Sequence, residues 1–413
     1  MKHAALLILL MLATSSEIAR ADEPLSAVLN ESVIKLPVTV KTIFNQVITK
    51  EMVVTQFKPN GEGPFPIAIL MHGRSYKDRS KPGRERFLQA TKYFVNRGFA
   101  VWVPTRLGYG DSGTEPDPEY SGTCSGKNYL AAYEVAATTT LDVMAYAKQQ
   151  SYVDPGRIVV LGQSYGGMTA ITVAAKNPAG LIAAINFAGG GGGNPETQPN
   201  EPCRPDLLKE LFGLYGKTAK VPSLWIYTEN DKYFGPVYPK QWFAEFQKLS
   251  SASQLAEYRA MPAFGDNGHF YFSRGFSTWR PVVDDFLRRQ GIAIPHTPGS
   301  FQDSGFANIN EPASLPVSSA ELRERYVKFL ELDVPRAFVL DAAGEFGGYA
   351  GGMPDALEKA LAICQKRAQK ECLAYAVDDK VVWKKNEWQR QTGLSYSRFF
   401  QRRMNKPKRQ KTL

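Results

Sequence analysis

The sequence predicts a mostly parallel, doubly wound α/β sheet followed by a small α+β unit. Through the first two thirds of the chain, short apolar strand-like segments alternate with helical segments. This alternation is typical of a parallel sheet that is covered by helices on both faces. A second, shorter set of helices and strands begins after a region rich in proline, glycine and serine at 291–317. With 413 residues, the chain is long enough for one large domain and one smaller one.

The large domain is predicted over 22–290, and its strands are expected in short apolar runs rich in β-branched residues. We expect strands, in chain order, at 38–44, 52–57, 67–71, 100–104, 158–161, 181–187, 223–227 and 256–261. The first two are expected to form an antiparallel pair. Helices are expected at 84–96, 129–149, 168–175, 241–249 and 278–289.

The smaller unit is predicted over 318–395, after a linker at 291–317. Ser318, Ser319 and Glu321 form the capping pattern that opens a helix, which we expect to reach about residue 332. A strand at 337–340, a helix at 354–369 and a strand at 373–383 should follow.

The N-terminal segment has the pattern of a secretory signal peptide, which we place at 1–21. Lys2 precedes an apolar run at 4–13, and Ala19-Arg20-Ala21 forms an A-x-A cleavage site before Asp22. The apolar run is too short to span a bilayer, and no later segment has the required length. We therefore expect a periplasmic or secreted protein without a transmembrane segment.

The four cysteines fit an oxidising compartment, where an even number usually means disulfide bonds. Three pairings are possible, and we favour Cys124 with Cys203 and Cys364 with Cys372, because each pair then lies within one predicted domain. None of the spacings is C-x-x-C and no histidine lies near a cysteine, so we expect no metal site.

The net charge of +10 arises almost entirely from the end of the chain. From Lys384 onward there are ten basic residues against the single acid Glu387, and the tail at 396–413 is strongly basic. In an exported protein, we expect such a tail to be solvated or to contact an anionic envelope surface rather than to bind nucleic acid. We expect no nucleic-acid partner.

Ser164 lies where the apolar run 157–161 turns into a helix of small residues, within Gly162-Gln163-Ser164-Tyr165-Gly166-Gly167. The G-x-S-x-G pattern between a strand and a helix is that of a nucleophile elbow. Glycines are needed on both sides of the serine because side chains there would collide with the strand and the helix. Ser164 is therefore the predicted nucleophile.

A serine hydroxyl needs a base, usually a histidine that is oriented by a carboxylate. The chain has four histidines. His3 lies in the signal peptide, His72 before a turn and His296 in the linker, which leaves His269 in the glycine-rich loop after the last predicted strand.

Asp231 is the predicted carboxylate because it lies on the loop that leaves the strand at 223–227, at the sheet edge where the serine and histidine loops also emerge. Glu229 is its main rival, and Asp266 is a weaker one because it is too near His269 in sequence. The order Ser164, Asp231, His269 is the nucleophile, acid, base order of the α/β-hydrolase fold.

Attack on a carbonyl produces an oxyanion that backbone N–H groups must stabilise. One donor should be Tyr165, the residue after the nucleophile. The other should come from the loop after 67–71, where we choose Arg74 over its neighbour Ser75; the side chains of Arg74 or Tyr76 could also contact substrate. This chemistry requires no cofactor.

The region 38–289 resembles the α/β-hydrolase superfamily, and in particular its dienelactone-hydrolase-like and prolyl-oligopeptidase-like branches. The motifs that carry the resemblance are 72–74, 106–113, 162–167, 227–236 and 268–269. Dienelactone hydrolases have a cysteine where this chain has Ser164. Prolyl oligopeptidases carry a β-propeller, for which too few residues lie between Asp22 and the first strand.

These observations lead to one hypothesis and two alternatives. The hypothesis is an exported serine hydrolase that cleaves a small carboxylic ester through an acyl-enzyme intermediate. A peptidase of the same fold is the first alternative. The second is a non-catalytic envelope-binding protein, against which the complete set of Ser164, Asp231 and His269 argues.

Overall fold

The computed structural model describes residues 25–75, 77–81, 83–250, 253–292, 301–332, 334–352 and 356–384. The predicted signal peptide, the basic tail and Tyr76 lie outside these residues.

An eight-stranded, mostly parallel sheet forms the large domain, as predicted. Its strands are β1 (Ser32–Lys41), β2 (Val47–Phe57), β3 (Phe65–Met71), β4 (Ala100–Pro104), β5 (Val153–Gln163), β6 (Leu181–Phe187), β7 (Ser223–Thr228) and β8 (Ala256–Met261). Their order is β1-β2-β4-β3-β5-β6-β7-β8. β2 pairs antiparallel with β1 and with β4, whereas all other neighbouring strands are parallel.

Helices cover both faces of this sheet. They are α1 (Leu88–Val95), α2 (Tyr129–Ala147), α3 (Tyr165–Ala175), α4 (Pro205–Thr218), α5 (Tyr238–Leu249), α6 (Tyr271–Arg274) and α7 (Phe276–Arg289). On β3, Ile67 and Ile69 belong to the core that α2 to α5 cover, whereas Ala68 and Leu70 belong to the core under α1, α6 and α7. Because side chains alternate across a strand, one apolar run supplies both cores.

Several elements of this domain differ in extent from the prediction, and β1 and α4 are two examples. β1 begins earlier than expected and ends at Lys41, because the chain turns at Asn45, which has a left-handed φ of 61°. Helix α4 was not predicted. Its signals are Pro205 in the first turn and buried apolar residues on one face, including Leu208, Leu211 and Phe212.

The C-terminal unit contains a separate four-stranded antiparallel sheet. Its elements are α8 (Ala320–Leu330), β9 (Arg336–Asp341), β10 (Gly347–Gly351), α9 (Ala356–Ala368), β11 (Cys372–Val377) and β12 (Lys380–Val381), with strand order β10-β9-β11-β12. Helices α8 and α9 pack on opposite faces of this sheet. A disulfide joins Cys364 on α9 to Cys372 on β11.

Part of the predicted linker packs against this unit. Phe306, Ile309, Leu315 and Val317 contact the apolar core on the α8 face, and the Ser304 N–H donates to the carbonyl of Val381 at 2.8 Å. We therefore propose that the C-terminal unit begins near residue 301 rather than at 318.

An ion cluster joins the C-terminal unit to the large domain. The Asp379 carboxylate accepts hydrogen bonds from Arg280 on α7 at 2.8 Å and from Arg336 on β9 at 2.8 Å. Both arginines are almost fully buried. In the described part of the chain, no helix is long and apolar enough to cross a membrane.

Candidate active site

Ser164 lies at a strained turn between β5 and α3. Its backbone has φ 57° and ψ −123°, a combination that costs a non-glycine residue energy and that is typical of functional sites. A Cβ at Gly162 would lie 2.7 Å from the Met71 carbonyl oxygen, and one at Gly166 would lie 2.1 Å from it. Only glycine fits at these two positions, so the sequence motif and the turn require each other.

Asp231 and His269 form a buried hydrogen-bonded pair. Nδ1 of His269 donates to the two carboxylate oxygens of Asp231 at 2.9 and 3.1 Å. The Asp231 carboxylate also accepts the backbone N–H of Tyr233 at 2.7 Å and that of Phe234 at 3.2 Å. With Nδ1 protonated and bonded to Asp231, the other ring nitrogen of His269 is left as an acceptor.

The rival carboxylates do not take part in this pair. Glu229 and Asp266 are both exposed to solvent, whereas Asp231 is fully buried. Of the three carboxylates weighed from the sequence, only Asp231 contacts the imidazole.

Hydrogen bonds between loops hold His269 in place. The Asn267 side-chain oxygen accepts the backbone N–H groups of His269 at 3.1 Å and of Lys232 at 3.0 Å, which ties the histidine loop to the Asp231 loop. Nε2 of Gln163, the residue before the serine, donates to the His269 carbonyl at 2.8 Å. The Tyr233 ring stacks on the imidazole with 3.9 Å between ring centroids. The hydrogen bonds thus fix the backbone of His269, and Tyr233 covers one face of its ring.

Ser164 and His269 line one cavity of about 190 Å³, which we call the Ser164 pocket. Its wall also contains Arg74, Glu85 and Phe270. No hydrogen bond joins the Ser164 hydroxyl to His269 in the described residues. Catalytic hydrogen bonds are often long without substrate and shorten when it binds. The structure therefore brings Asp231 and His269 together and places Ser164 in the same pocket as His269.

Two backbone N–H groups are available beside Ser164. Tyr165 is the first residue of α3, where a helix has no internal acceptor for the N–H. The Arg74 N–H donates to no other backbone or side-chain group of the described chain. Gly73 allows this loop to come close, because a Cβ there would lie 2.9 Å from the Ser164 Cβ. The role of either N–H as an oxyanion donor stays a prediction.

The side chain of Arg74 is bound to Asp117 and is therefore not free to bind substrate. Its guanidinium donates to both carboxylate oxygens of Asp117, one of them at 3.0 Å, and lies 3.8 Å from Glu119. Burial alone would lower the pKa of Arg74, but its hydrogen bonds to Asp117 raise the pKa above the ordinary value. The ion pair therefore fixes the loop that carries the Arg74 N–H.

His72 lines the Ser164 pocket but is unsuited to act as a base. Its Nδ1 donates to the Gly73 carbonyl at 2.7 Å, and its Nε2 accepts the Arg106 N–H at 2.9 Å. Burial and the neighbouring positive charges of Arg106 and Arg74 lower the pKa of His72 to about 3. Both ring nitrogens are occupied, so this histidine is a neutral support of the Gly73-Arg74 loop. No local pattern around His72 indicates this role.

Arg106 is a second buried support that the sequence analysis did not identify. Its guanidinium donates to both oxygens of Glu119 at 3.0 Å and to the Thr169 hydroxyl at 3.1 Å. It also donates to the His72 carbonyl at 2.8 Å. The loop after β4 and helix α3 are thereby fastened to the loop after β3.

The structure contains the disulfide Cys124–Cys203, between the loop after β4 and the segment after β6. Neither cysteine lines the Ser164 pocket in the described chain. Gly189 to Gly191 are buried, and a Cβ at Gly190 or Gly191 would meet Phe234 or Tyr133.

Within the described ranges, no group of three or more His, Cys, Asp or Glu side chains is arranged to hold a metal ion.

This chain is similar to several solved structures. It is similar to a protein of Klebsiella pneumoniae named as a dienelactone hydrolase, with 16% identity, a TM-score of 0.41, and 64% of this chain and 100% of that chain covered. It is also similar to the Pyrococcus furiosus esterase Pf2001, with 14% identity, a TM-score of 0.40, and 63% and 92% covered. For the Pyrococcus horikoshii acylaminoacyl peptidase, the identity is 15% and the TM-score 0.43, and the match covers 65% of this chain and 43% of the peptidase. No curated protein sequence matches.

A family model described as "Alpha/beta hydrolase family" matches residues 68–300. The matched region contains the strained serine turn at Ser164, the Asp231–His269 pair and seven of the helices described above. It makes up more than half of the chain. The chain therefore belongs to the alpha/beta hydrolase family.

Proposed function

We propose that this protein is an exported serine hydrolase that cleaves a small carboxylic ester through an acyl-enzyme intermediate. The observation that carries the proposal is the buried Asp231–His269 pair in the same pocket as a serine held in a strained turn. Each part alone is compatible with a structural role. Together they supply the acid, base and nucleophile of acyl transfer.

In the first half of the reaction, Nε2 of His269 takes the proton from the Ser164 hydroxyl as Oγ attacks the carbonyl carbon. Asp231 holds the imidazole in the required tautomer and stabilises the imidazolium that forms. The proton then passes from His269 to the departing alcohol, which leaves an acyl group on Ser164. In the second half, water attacks this acyl group with the same base, and the carboxylic acid is released.

We assign to the backbone N–H groups of Tyr165 and Arg74 the stabilisation of the negative charge on the tetrahedral intermediate. Donors fixed before the reaction are effective because they need no rearrangement as charge develops. The start of α3 fixes the N–H of Tyr165, and the ion pair with Asp117 fixes the loop that carries the N–H of Arg74.

The proposed export does not depend on the Ser164 pocket. It rests on the signal-peptide pattern at 1–21 and on the two disulfides, which persist in oxidising compartments such as the periplasm. A small-molecule ester is favoured over a large polymer because the Ser164 pocket is only about 190 Å³.

The test is the steady-state hydrolysis of p-nitrophenyl acetate by the wild-type chain, Ser164→Ala and the matched control Ser273→Ala, which changes an exposed serine of α6. Ser164→Ala should lower kcat by about 10⁴-fold or more, because the nucleophile is lost, while Ser273→Ala should retain activity. Retention of most activity by Ser164→Ala would refute the nucleophile. Faster turnover of N-blocked peptide amides than of matched esters would assign a peptidase instead.

A further inference from the structure

Glu85 places a carboxyl group in the wall of the Ser164 pocket that the proposed reaction does not use. It follows the loop after β3 and precedes α1, and its backbone N–H donates to the Thr105 hydroxyl at 3.0 Å. Thr105 directly follows β4 and lines the same pocket. The backbone at Glu85 is therefore held by a residue at the end of a core strand.

The two arginines next to Glu85 do not neutralise it. Arg84 and Arg86 both form ion pairs with the buried carboxylate of Glu31, Arg84 at 2.5 Å and Arg86 also at 2.5 Å. Glu31 thus binds both arginines, whereas Glu85 lines the Ser164 pocket.

Glu85 has no countercharge of its own. Within the described ranges, its carboxylate forms no hydrogen bond and no ion pair. Burial, with no compensating charge, raises the pKa of Glu85 to about 7. A partly buried carboxylate without a donor is costly, and a pocket that retains one gains free energy when a ligand supplies the donor.

Other charged and titratable groups share the pocket but leave Glu85 without a partner. They are His72, Arg74, Lys81, Tyr109, Tyr233 and His269. His72 is neutral and Arg74 is bound to Asp117. The amine of Lys81 is mostly exposed and lies 3.8 Å from Asp78. The Ser164 pocket therefore contains one carboxylate, that of Glu85, which could bind a cationic ligand.

We propose that Glu85 determines specificity by binding a cationic amine on the substrate, so that the preferred substrates are small esters that carry a protonated amino group. This proposal rests on the proposed ester hydrolysis but concerns a different residue. An ammonium group supplies both the charge and the N–H donor that the carboxylate lacks, whereas a neutral alkyl group of the same shape leaves it unpaired.

The test uses pairs of esters of equal shape that differ in charge. On the alcohol side, 2-(dimethylamino)ethyl acetate is compared with 3-methylbutyl acetate. On the acyl side, the p-nitrophenyl esters of N,N-dimethylglycine and 3-methylbutanoic acid are compared. After correction for spontaneous hydrolysis, we expect kcat/KM for the cationic member of at least one pair to exceed that of its neutral partner by about tenfold or more at pH 7.5.

Glu85→Gln should abolish this preference, while the matched control Glu62→Gln, which changes an exposed glutamate outside the pocket, should keep it. Acidification should weaken the preference as Glu85 gains a proton. Equal kcat/KM values within both wild-type pairs, or a preference that survives in Glu85→Gln, would overturn the proposal.

A binding measurement separates this proposal from the proposed function. By calorimetry, 3-methylbutylamine should bind the wild-type chain about tenfold or more tightly than 3-methylbutan-1-ol, and Glu85→Gln should lose that difference. If the difference is present but no ester is hydrolysed, the cation site stands and the esterase assignment fails. If p-nitrophenyl acetate is hydrolysed through Ser164 but amine and alcohol bind alike, the cation site fails alone.

Discussion

Asp231 and His269 are 38 positions apart in sequence, yet their side chains meet in a buried hydrogen bond. Their partners explain why they meet. Backbone N–H groups of Tyr233 and Phe234 hold the carboxylate, and the Tyr233 ring covers one face of the imidazole. Because solvent is excluded, the position of the Asp231 carboxylate and the orientation of the His269 ring depend on these few contacts. A conservative substitution of Asp231 should therefore have a large effect on activity.

Asp231→Asn is expected to lower kcat for p-nitrophenyl acetate by about 10⁴-fold, because an amide neither favours the required tautomer nor stabilises the imidazolium. Glu229→Gln, at the exposed rival two residues earlier, should change kcat less than about twofold. Steady-state kinetics of the two purified variants would measure both effects. Comparable losses in the two variants would contradict the assignment of the acid.

Glu85 should make stability depend on pH in a direction opposite to that of most carboxylates. Burial raises its pKa to about 7 from an ordinary value of 4.5, so the folded state keeps the proton that the unfolded state releases between these values. The contribution of Glu85 to the stability of the protein is therefore greatest below about pH 4.5, and it is lost as the pH rises through about 7.

Glu85→Gln is therefore expected to leave the free energy of unfolding nearly unchanged at about pH 5 and to raise it by about 1–2 kcal/mol at about pH 8.5, a value reduced for partial exposure. Urea unfolding of both proteins at the two pH values would measure this difference. Equal effects at the two pH values, or destabilisation at the higher one, would contradict the inference that the carboxyl group is buried without a partner.

At the scale of elements, the loops after β3, β4, β5, β7 and β8 meet at one edge of the sheet. Parallel strands place all their carboxyl ends there, which is why residues far apart in sequence converge. Glycines control how closely these loops approach. Gly73 is the clearest case, because the loop after β3 passes directly over the Ser164 side chain.

Gly73→Ala should reduce kcat by about 100-fold or more without unfolding the protein, because its Cβ would lie 2.9 Å from the Ser164 Cβ and displace the nucleophile or the Arg74 N–H. Gly156→Ala is the control, since its Cβ would meet only Asp154 at an ordinary 3.4 Å. Turnover of p-nitrophenyl acetate and thermal unfolding would separate activity from stability. Full activity of Gly73→Ala would show that the loop does not constrain Ser164.

The elements that sequence could predict are those with a strong local pattern. The apolar strand at 67–71 and the glycine-flanked turn at Ser164 carry their own signals and occur as expected. Strand β10 (Gly347–Gly351) was missed because a glycine-rich segment lacks the β-branched residues that mark strands. Its strand conformation comes from pairing with β9, which a local pattern does not contain.

The supports of the candidate site were less accessible to sequence analysis. The backbone at Glu85 is held by a hydrogen bond to Thr105, which is 20 positions away. The low pKa of His72 arises from burial beside Arg106, which is 34 positions away. Such roles depend on tertiary contacts, so no pattern around either residue could reveal them.

At the scale of the whole molecule, the Asp379 carboxylate connects the C-terminal unit to the large domain. It binds two arginines, Arg280 and Arg336, whose side chains are only 2% and 4% exposed. Burial lowers the pKa of Arg280 from its ordinary value, and the charge of Asp379 opposes this shift. Two buried guanidinium groups thus share one carboxylate across the junction.

Asp379→Asn should lower the free energy of unfolding by about 2–3 kcal/mol, because it removes the carboxylate that both buried guanidinium groups bind. Asp285→Asn, which removes an exposed partner of Arg288 and Arg289 on α7, should cost less than about 0.5 kcal/mol. Chemical denaturation followed by tryptophan fluorescence would measure both. An unchanged stability of Asp379→Asn would mean that the junction contributes little to the fold.

The most direct test of the account is covalent labelling of the folded protein with a fluorophosphonate, followed by mass spectrometry of its peptides. We predict one phosphonyl adduct, on Ser164, with labelling abolished by Ser164→Ala and strongly slowed by His269→Ala. An unlabelled Ser164 in correctly folded protein, or equally fast labelling after removal of His269, would contradict the proposal that these side chains act together.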